Sequence, residues 1–151
     1  MKWFKIDGKE WKVRIFEPSE AFIILYSENT GRSLDEGAPM NLDPYGTFFN
    51  YKMTIGAIKG EEKEFQALWE YLAEPRKEAL LVTFPKGSKE NWTTVSNSGE
   101  VVEGFYAYVS SGERKIKKIT EETNGELKDV FYDAFSVNFI ATKAQVLPKD
   151  E

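Results

Sequence analysis

The chain has 151 residues, 41 % of them hydrophobic and 30 % charged, a balance that fits one globular domain and excludes a disordered or collagen-like chain. It carries no Cys and no His, which removes thiol nucleophiles, imidazole metal ligands and every Ser-His or Cys-His triad, so any chemistry would fall to carboxylates, lysines or tyrosines. With 20 basic against 25 acidic residues the net charge is −5, the wrong sign for a protein that grips phosphate backbones by releasing counterions.

The N-terminal stretch reads as a hairpin. Trp3 to Ile6 precedes Asp7-Gly8, a dipeptide that tolerates positive φ, and Trp11, Val13 and Ile15 then alternate with Lys12 and Arg14. The same stretch lacks the basic segment, apolar stretch and cleavage site of a signal peptide, and no run approaches the ~18 apolar residues of a membrane helix. The expected location is therefore a cytoplasm. Glu17-Pro18-Ser19-Glu20 is expected to stop the strand, and Ala21 to Tyr26 (AFIILY) reads as another, with both faces partly covered.

From Ser27 to Gly46 the composition turns to Asn, Gly, Ser, Asp and Pro, with Leu34, Met40, Leu42 and Tyr45 as the apolar points. Such a long loop in a compact domain is expected to be functional or to order on binding a partner. Phe48 to Ile55 resumes alternation, with Phe49, Tyr51, Met53 and Ile55 on one face. A helix follows over Glu61 to Ala73. Its first turn is acidic, its apolar stripe is Phe65, Leu68, Trp69 and Leu72, and Pro75 closes it. A helix this short is marginal alone, whereas burying four such side chains contributes about 6–12 kcal/mol, so it must lie on a sheet.

Leu80 to Phe84 is the next strand. Ser88 to Glu100 reads as a second exposed loop, polar except for Trp92. Val101 to Ser110 reads as one long strand with Phe105, Ala107 and Val109 on one side and Tyr106 and Tyr108 on the other. Glu113 to Glu122 is a further strand, Asn124-Gly125 a hairpin turn, and Val130 to Thr142 the last strand, with Phe131, Phe135, Val137 and Phe139 on one face and Asp133 marking a rim or bulge. The order predicts a mainly β (α+β) fold: an antiparallel β-sandwich or split barrel with one flanking α-helix, forming a single domain over 1–146 and a frayed tail over 147–151.

The acidic pairs Glu61-Glu62, Glu121-Glu122 and Asp35-Glu36 are sequence neighbours and do not converge as a hydrolytic pair must. The chain has no phosphate loop, dinucleotide fingerprint or nucleophile elbow, and Asn41-Leu42-Asp43 lacks the remaining ligands of a calcium loop. No enzyme, cofactor or metal is expected. Arg114, Lys115, Lys117 and Lys118 form a basic cluster that reads either as a soluble strand edge or as a charged seam meeting an acidic patch on another copy. Without interleaved aromatics it does not read as a nucleic-acid surface. Trp92, Tyr45, Phe48, Tyr106 and Tyr108 lie in loops or opposite the expected core; they suit a protein interface or, alternatively, the sugar-stacking face of a carbohydrate-binding β-sandwich module.

The succession Phe65 to Ala73 (FQALWEYLA), Leu80 to Pro85 (LLVTFP), Glu103 to Ser110 (EGFYAYVS) and Phe135 to Ala141 (FSVNFIA) resembles small tail proteins of bacteriophages and prophages. It is most similar to the fold shared by tail-tube subunits and the N-terminal domain of distal tail (baseplate hub) proteins. The chain has no room for the second, galectin-like domain that distal tail proteins usually carry. The resemblance implies a non-enzymatic structural protein of the virion tail, assembled in the host cytoplasm. Subunits would form a homo-oligomeric ring, commonly a hexamer, beside other tail proteins, with Phe48 to Ile55 and the preceding loop as the tube hairpin. The interface residues expected on this reading are Leu34, Met40, Tyr45 and Phe48 as apolar anchors and Arg114, Lys115, Lys117 and Lys118 as a charged seam.

Overall fold

A computed structural model describes residues 4–86, 90, 91, 93–95 and 101–148, with backbone alone for 85, 86, 90, 91, 93–95 and 101–103. Lys5–Ile6 (β1) and Lys9–Glu10 (β2) form the expected hairpin, with Asp7 and Gly8 both at positive φ (53° and 81°). Asp7 also fastens that turn to the sheet: its N–H donates to the Leu81 carbonyl and its carboxylate accepts from the Leu81 N–H, each at 2.8 Å.

Val13–Tyr26 (β3) is one strand, which corrects the expected stop at Glu17 to Glu20. A bulge between Phe16 and Ser19, with Glu17 at φ 49°, takes up Pro18. The strand lies at the outer edge of the sheet, where a proline costs no ladder bond. The stretch after Tyr26 is likewise not one long loop. Gly31–Arg32 (β4) pairs with Met40–Asn41 (β5), and Pro44–Ala57 (β6) begins before Gly46 and runs back along β3 from Tyr26↔Pro44 to Val13↔Ala57.

Glu62–Ala73 (α1) follows, burying Phe65 and Leu68 with Trp69 and Leu72 half-buried. Leu80–Thr83 (β7) leads to Pro85–Lys86 (β8), which pairs with Glu90–Asn91 (β9). Thr93–Val95 (β10) pairs with Val101–Glu103 (β11), so the polar stretch expected to be loop carries strand pairs, while Trp92 lies outside the described residues. The strand expected over Val101 to Ser110 breaks at Gly104. Its φ is 103°, and a Cβ there would sit 2.6 Å from the Val82 carbonyl oxygen, so only glycine allows the chain to turn into Phe105–Tyr108 (β12). Ile116–Glu121 (β13) and Leu127–Tyr132 (β14) form a separate hairpin about the Asn124-Gly125 turn, and Phe135–Ala141 (β15) returns to the sheet. The final strand is therefore two. Phe131 stays on the hairpin, 39 % exposed, rather than joining Phe135, Val137 and Phe139 in the core.

Among the described residues the fold is mainly β with one helix. Seven strands make an antiparallel sheet in the order β2-β1-β7-β12-β15-β6-β3, and the remaining pairs are two-stranded. The sheet curls. Tyr51 on β6 lies with its ring 5.0 Å from that of Phe84, just past β7, although β6 and β7 are three steps apart, about 14 Å in a flat sheet. Phe4 reaches Phe139 in the same way at 6.3 Å. The core of Phe4, Ile6, Val13, Tyr51, Met53, Ile55, Val82, Phe105 and Phe139 fills the inside of this curl, with α1 packed on it through Phe65, Leu68 and Trp69. The barrel stays open at β2 and β3.

Candidate self-assembly surface

The two open edges differ. β2 is two charged residues long, a blunt edge that discourages pairing. β3 is fourteen residues long and pairs, among the described residues, only with β6. Beyond Ala21 the β3–β6 ribbon extends past β15, whose pairing with β6 ends at Ile140↔Asn50. Among the described residues the C-terminal segment alone continues along β6: the Thr47 N–H donates to the Val146 carbonyl at 2.8 Å, and the Gln145 side chain accepts from the Phe49 N–H and donates to the Phe49 carbonyl. Residues 149–151 lie outside the described residues.

This ribbon leaves apolar side chains in water on both faces. Phe22 is 67 % exposed, and Ile23, Ile24, Leu25 and Tyr26 between 38 and 48 %. Alternation cannot hide such a run, because six consecutive apolar residues present three to each face. The sequence reads Ala21 to Tyr26 as a strand with both faces partly covered and does not assign it to an interface; its lack of alternation is the available signal.

At the end of the ribbon, residues 27–43 are held by their own bonds rather than left to order on a partner. The Ser27 N–H donates to the Asp43 carbonyl, its hydroxyl donates to the Asp43 carboxylate, and the Thr30 hydroxyl accepts from the Asp43 N–H. The tip is closed by the β4–β5 pair, by a bond from the Ala38 N–H to the Asp35 carbonyl, and by Gly37 and Ala38 at positive φ. It does not fold over the core. Leu34 is fully exposed, and Met40, Leu42 and Tyr45 are 47, 60 and 62 % exposed. Of the four anchors expected from sequence, Leu34, Met40 and Tyr45 face solvent on one structural unit, while Phe48, opposite Ile23, rests partly on the chain's own core.

The basic cluster does not act as a unit. Arg114 is removed from the seam: its guanidinium stacks 3.6 Å from the Tyr132 ring and 4.7 Å from Trp69, and it donates to the Gln66 side chain at 2.7 Å. Burial against these rings lowers its pKa, and its Nη1 has no hydrogen-bond partner among the described residues. Its delocalised plane suits this cage, where a strongly hydrated ammonium would not. The result is a strut joining the lead into β13 to α1 and β14. Lys115, Lys117 and Lys118 are exposed.

Other perturbed groups are structural. Burial, followed by a 2.6 Å hydrogen bond to the Glu20 carboxylate and that group's charge, pushes the Tyr51 hydroxyl above its ordinary range. A hydrogen bond to the Asp7 carboxylate does the same for Tyr71. Tyr106 and Tyr108 are exposed on the outer face of β12. Among the described residues no three Asp or Glu side chains gather as a metal site, and no helix is long and apolar enough to cross a membrane. No family model, curated protein or solved structure matches the chain.

Proposed function

We propose that this protein is a structural subunit whose activity is self-assembly into a ring or tube, of the kind its sequence resemblance to phage and prophage tail proteins implies. The observation that carries this reading is the β3 edge: a long strand, apolar from Ala21 to Tyr26, exposed on both faces and open along its backbone. An edge of this kind templates pairing with another chain, and natural monomers blunt it with charge, proline or short length. The proline and acids of β3 are confined to Glu17 to Glu20, so the blunting stops where the apolar run starts.

A specific interface buries about 800 Å² per partner, and the ribbon offers apolar surface of the kind that fills an interface centre. In an assembled ring β3 would lie against a neighbouring copy, and Tyr45 and Met40 would be covered with it.

Sedimentation and electron microscopy of the purified chain test the proposal. The expected result is a concentration-dependent ring or tube, lost when Phe22→Lys and Ile24→Lys place charge on one face of the edge while the circular dichroism of the subunit is unchanged. A chain that stays monomeric at all concentrations and joins no tail particle overturns it. The carbohydrate-binding alternative would rest on Tyr106 and Tyr108, the adjacent exposed rings on β12, and requires glycan binding that Tyr108→Ala removes.

A further inference from the structure

A second surface lies at the opposite end of the ribbon. The N-terminal half of α1, the ends of β3 and β6, and the β13–β14 hairpin enclose a groove of about 740 Å³. Its apolar floor includes Phe16 and Phe131, 43 and 39 % exposed, and its rim carries Lys59, Lys63, Lys117 and Lys118. Against Glu62 and Asp133 in the same lining, the lysines leave two positive charges in excess. Among the described residues none of the four forms an ion pair. The Arg114 strut fixes the hairpin wall over the helix.

The tip of the ribbon has the complementary character. Residues 27–43 hold Glu28, Asp35, Glu36 and Asp43 against Arg32 alone, three negative charges in excess in a protein whose total is −5. Asp35 and Glu36 directly follow the fully exposed Leu34, and neither is in an ion pair among the described residues. An apolar knob flanked by two carboxylates therefore faces solvent at one end of the molecule, and an apolar groove rimmed by four unpaired lysines at the other.

We infer that the Leu34-Asp35-Glu36 tip of one copy seats in the lysine-rimmed groove between α1 and the β13–β14 hairpin of the next. The contact has to be intermolecular. Phe16 lines the groove and the tip begins at Ser27, so at about 3.3 Å per residue the strand separates the two ends by roughly 30 Å. Tip into groove is a heterologous, head-to-tail contact, which propagates copies in one direction and either closes or extends. It rests on the self-assembly reading and adds to it: β3 joins neighbours side by side, and the tip joins them end to end. The lysines recognise the acids and fix polarity, because tip against tip and groove against groove bring like charges together.

The absence of cysteine makes a direct test clean. The variant carrying both Leu34→Cys and Lys118→Cys, oxidised after assembly, is expected to give a ladder of dimers, trimers and higher species on a non-reducing gel. Either substitution alone stops at dimers. A parallel set reverses charge: Asp35→Lys with Glu36→Lys, or Lys117→Glu with Lys118→Glu, is expected to abolish end-to-end growth seen by electron microscopy, and combining all four in one chain restores it. Rings that form but never lengthen, a double-cysteine variant with no ladder, or reversed variants that lengthen as the wild type does overturn the tip-in-groove contact and leave self-assembly standing. A wild-type chain that never leaves the monomer overturns both.

Discussion

The two ends of the β3–β6 ribbon are built from similar residues and have opposite fates. Near the helix, Val13, Met53 and Ile55 are buried, since the sheet curls over them and Phe105, Phe139 and α1 supply the facing layer. Beyond Ala21 the same two strands continue, the ladder is intact from Ala21↔Asn50 to Leu25↔Gly46, and Phe22, Ile23 and Tyr26 stand in water. The β3–β6 ladder runs through both regions, so pairing between these two strands does not decide burial. What differs is the neighbourhood: β15 flanks β6 and a second layer covers it over the inner half, and among the described residues neither continues over the outer half. A strand that is apolar on both faces implies two covers, and when the chain supplies neither, the covers are expected from another molecule.

The comparison breaks most visibly in the curled half. Phe139 is fully buried, against Phe4 on the far side of the curl, and Phe139→Ala is expected to cost about 3–5 kcal/mol in urea unfolding. Gly104→Ala follows at about 1–3 kcal/mol, since a side chain at φ 103° is strained and its Cβ meets the Val82 carbonyl. A loss under 0.5 kcal/mol at Phe139 would mean that the core is not closed as described.

These regions differ in legibility too. The hairpin at Asp7-Gly8, the helix with its Phe65-Leu68 stripe and the buried faces of β6 and β15 followed from local rules, because turn chemistry and periodicity are short-range. The bulge that carries β3 through Pro18 was not legible, since a proline is harmless only where a strand has no outer neighbour, and sheet order is a long-range fact. Gly104 was missed for the same reason: the contact that forbids a side chain is with Val82, distant in sequence. At the candidate surface, Leu34, Met40 and Tyr45 stand out in the sequence as isolated apolar points in a polar stretch, and the structure leaves all three exposed. Arg114 was misplaced because Trp69 and Tyr132, the rings that cage it, come from different elements. The groove formed by α1 with β13 and β14 could not be read before the hairpin left the main sheet.

Arg114 sharpens the contrast at intermediate scale. A lysine cannot reproduce the stack on Tyr132 or the bond to Gln66, so Arg114→Lys is expected to lose about 1 kcal/mol and to shift Trp69 fluorescence as the hairpin loosens from the helix. Arg114→Lys equal to wild type in both readouts would return this residue to the exposed basic seam expected from sequence.

The smallest effect on the isolated subunit is expected at the most exposed aromatic ring among the described residues. Phe22 keeps 67 % of its surface in water and has one ring contact among the described residues, Phe49 at 6.5 Å, so Phe22→Ser should change subunit stability by less than about 0.5 kcal/mol. The same substitution removes an aromatic side chain from the edge proposed to meet a neighbour, where full burial contributes about 1.5–3 kcal/mol. The concentration needed for assembly should therefore rise by roughly tenfold or more, since each 1.4 kcal/mol is a factor of ten. Measuring both quantities on one variant separates the two halves of the ribbon. A stability loss with unchanged assembly would place Phe22 in a core that the chain completes by itself. Unchanged stability with impaired assembly is the signature of a strand whose second layer is another copy.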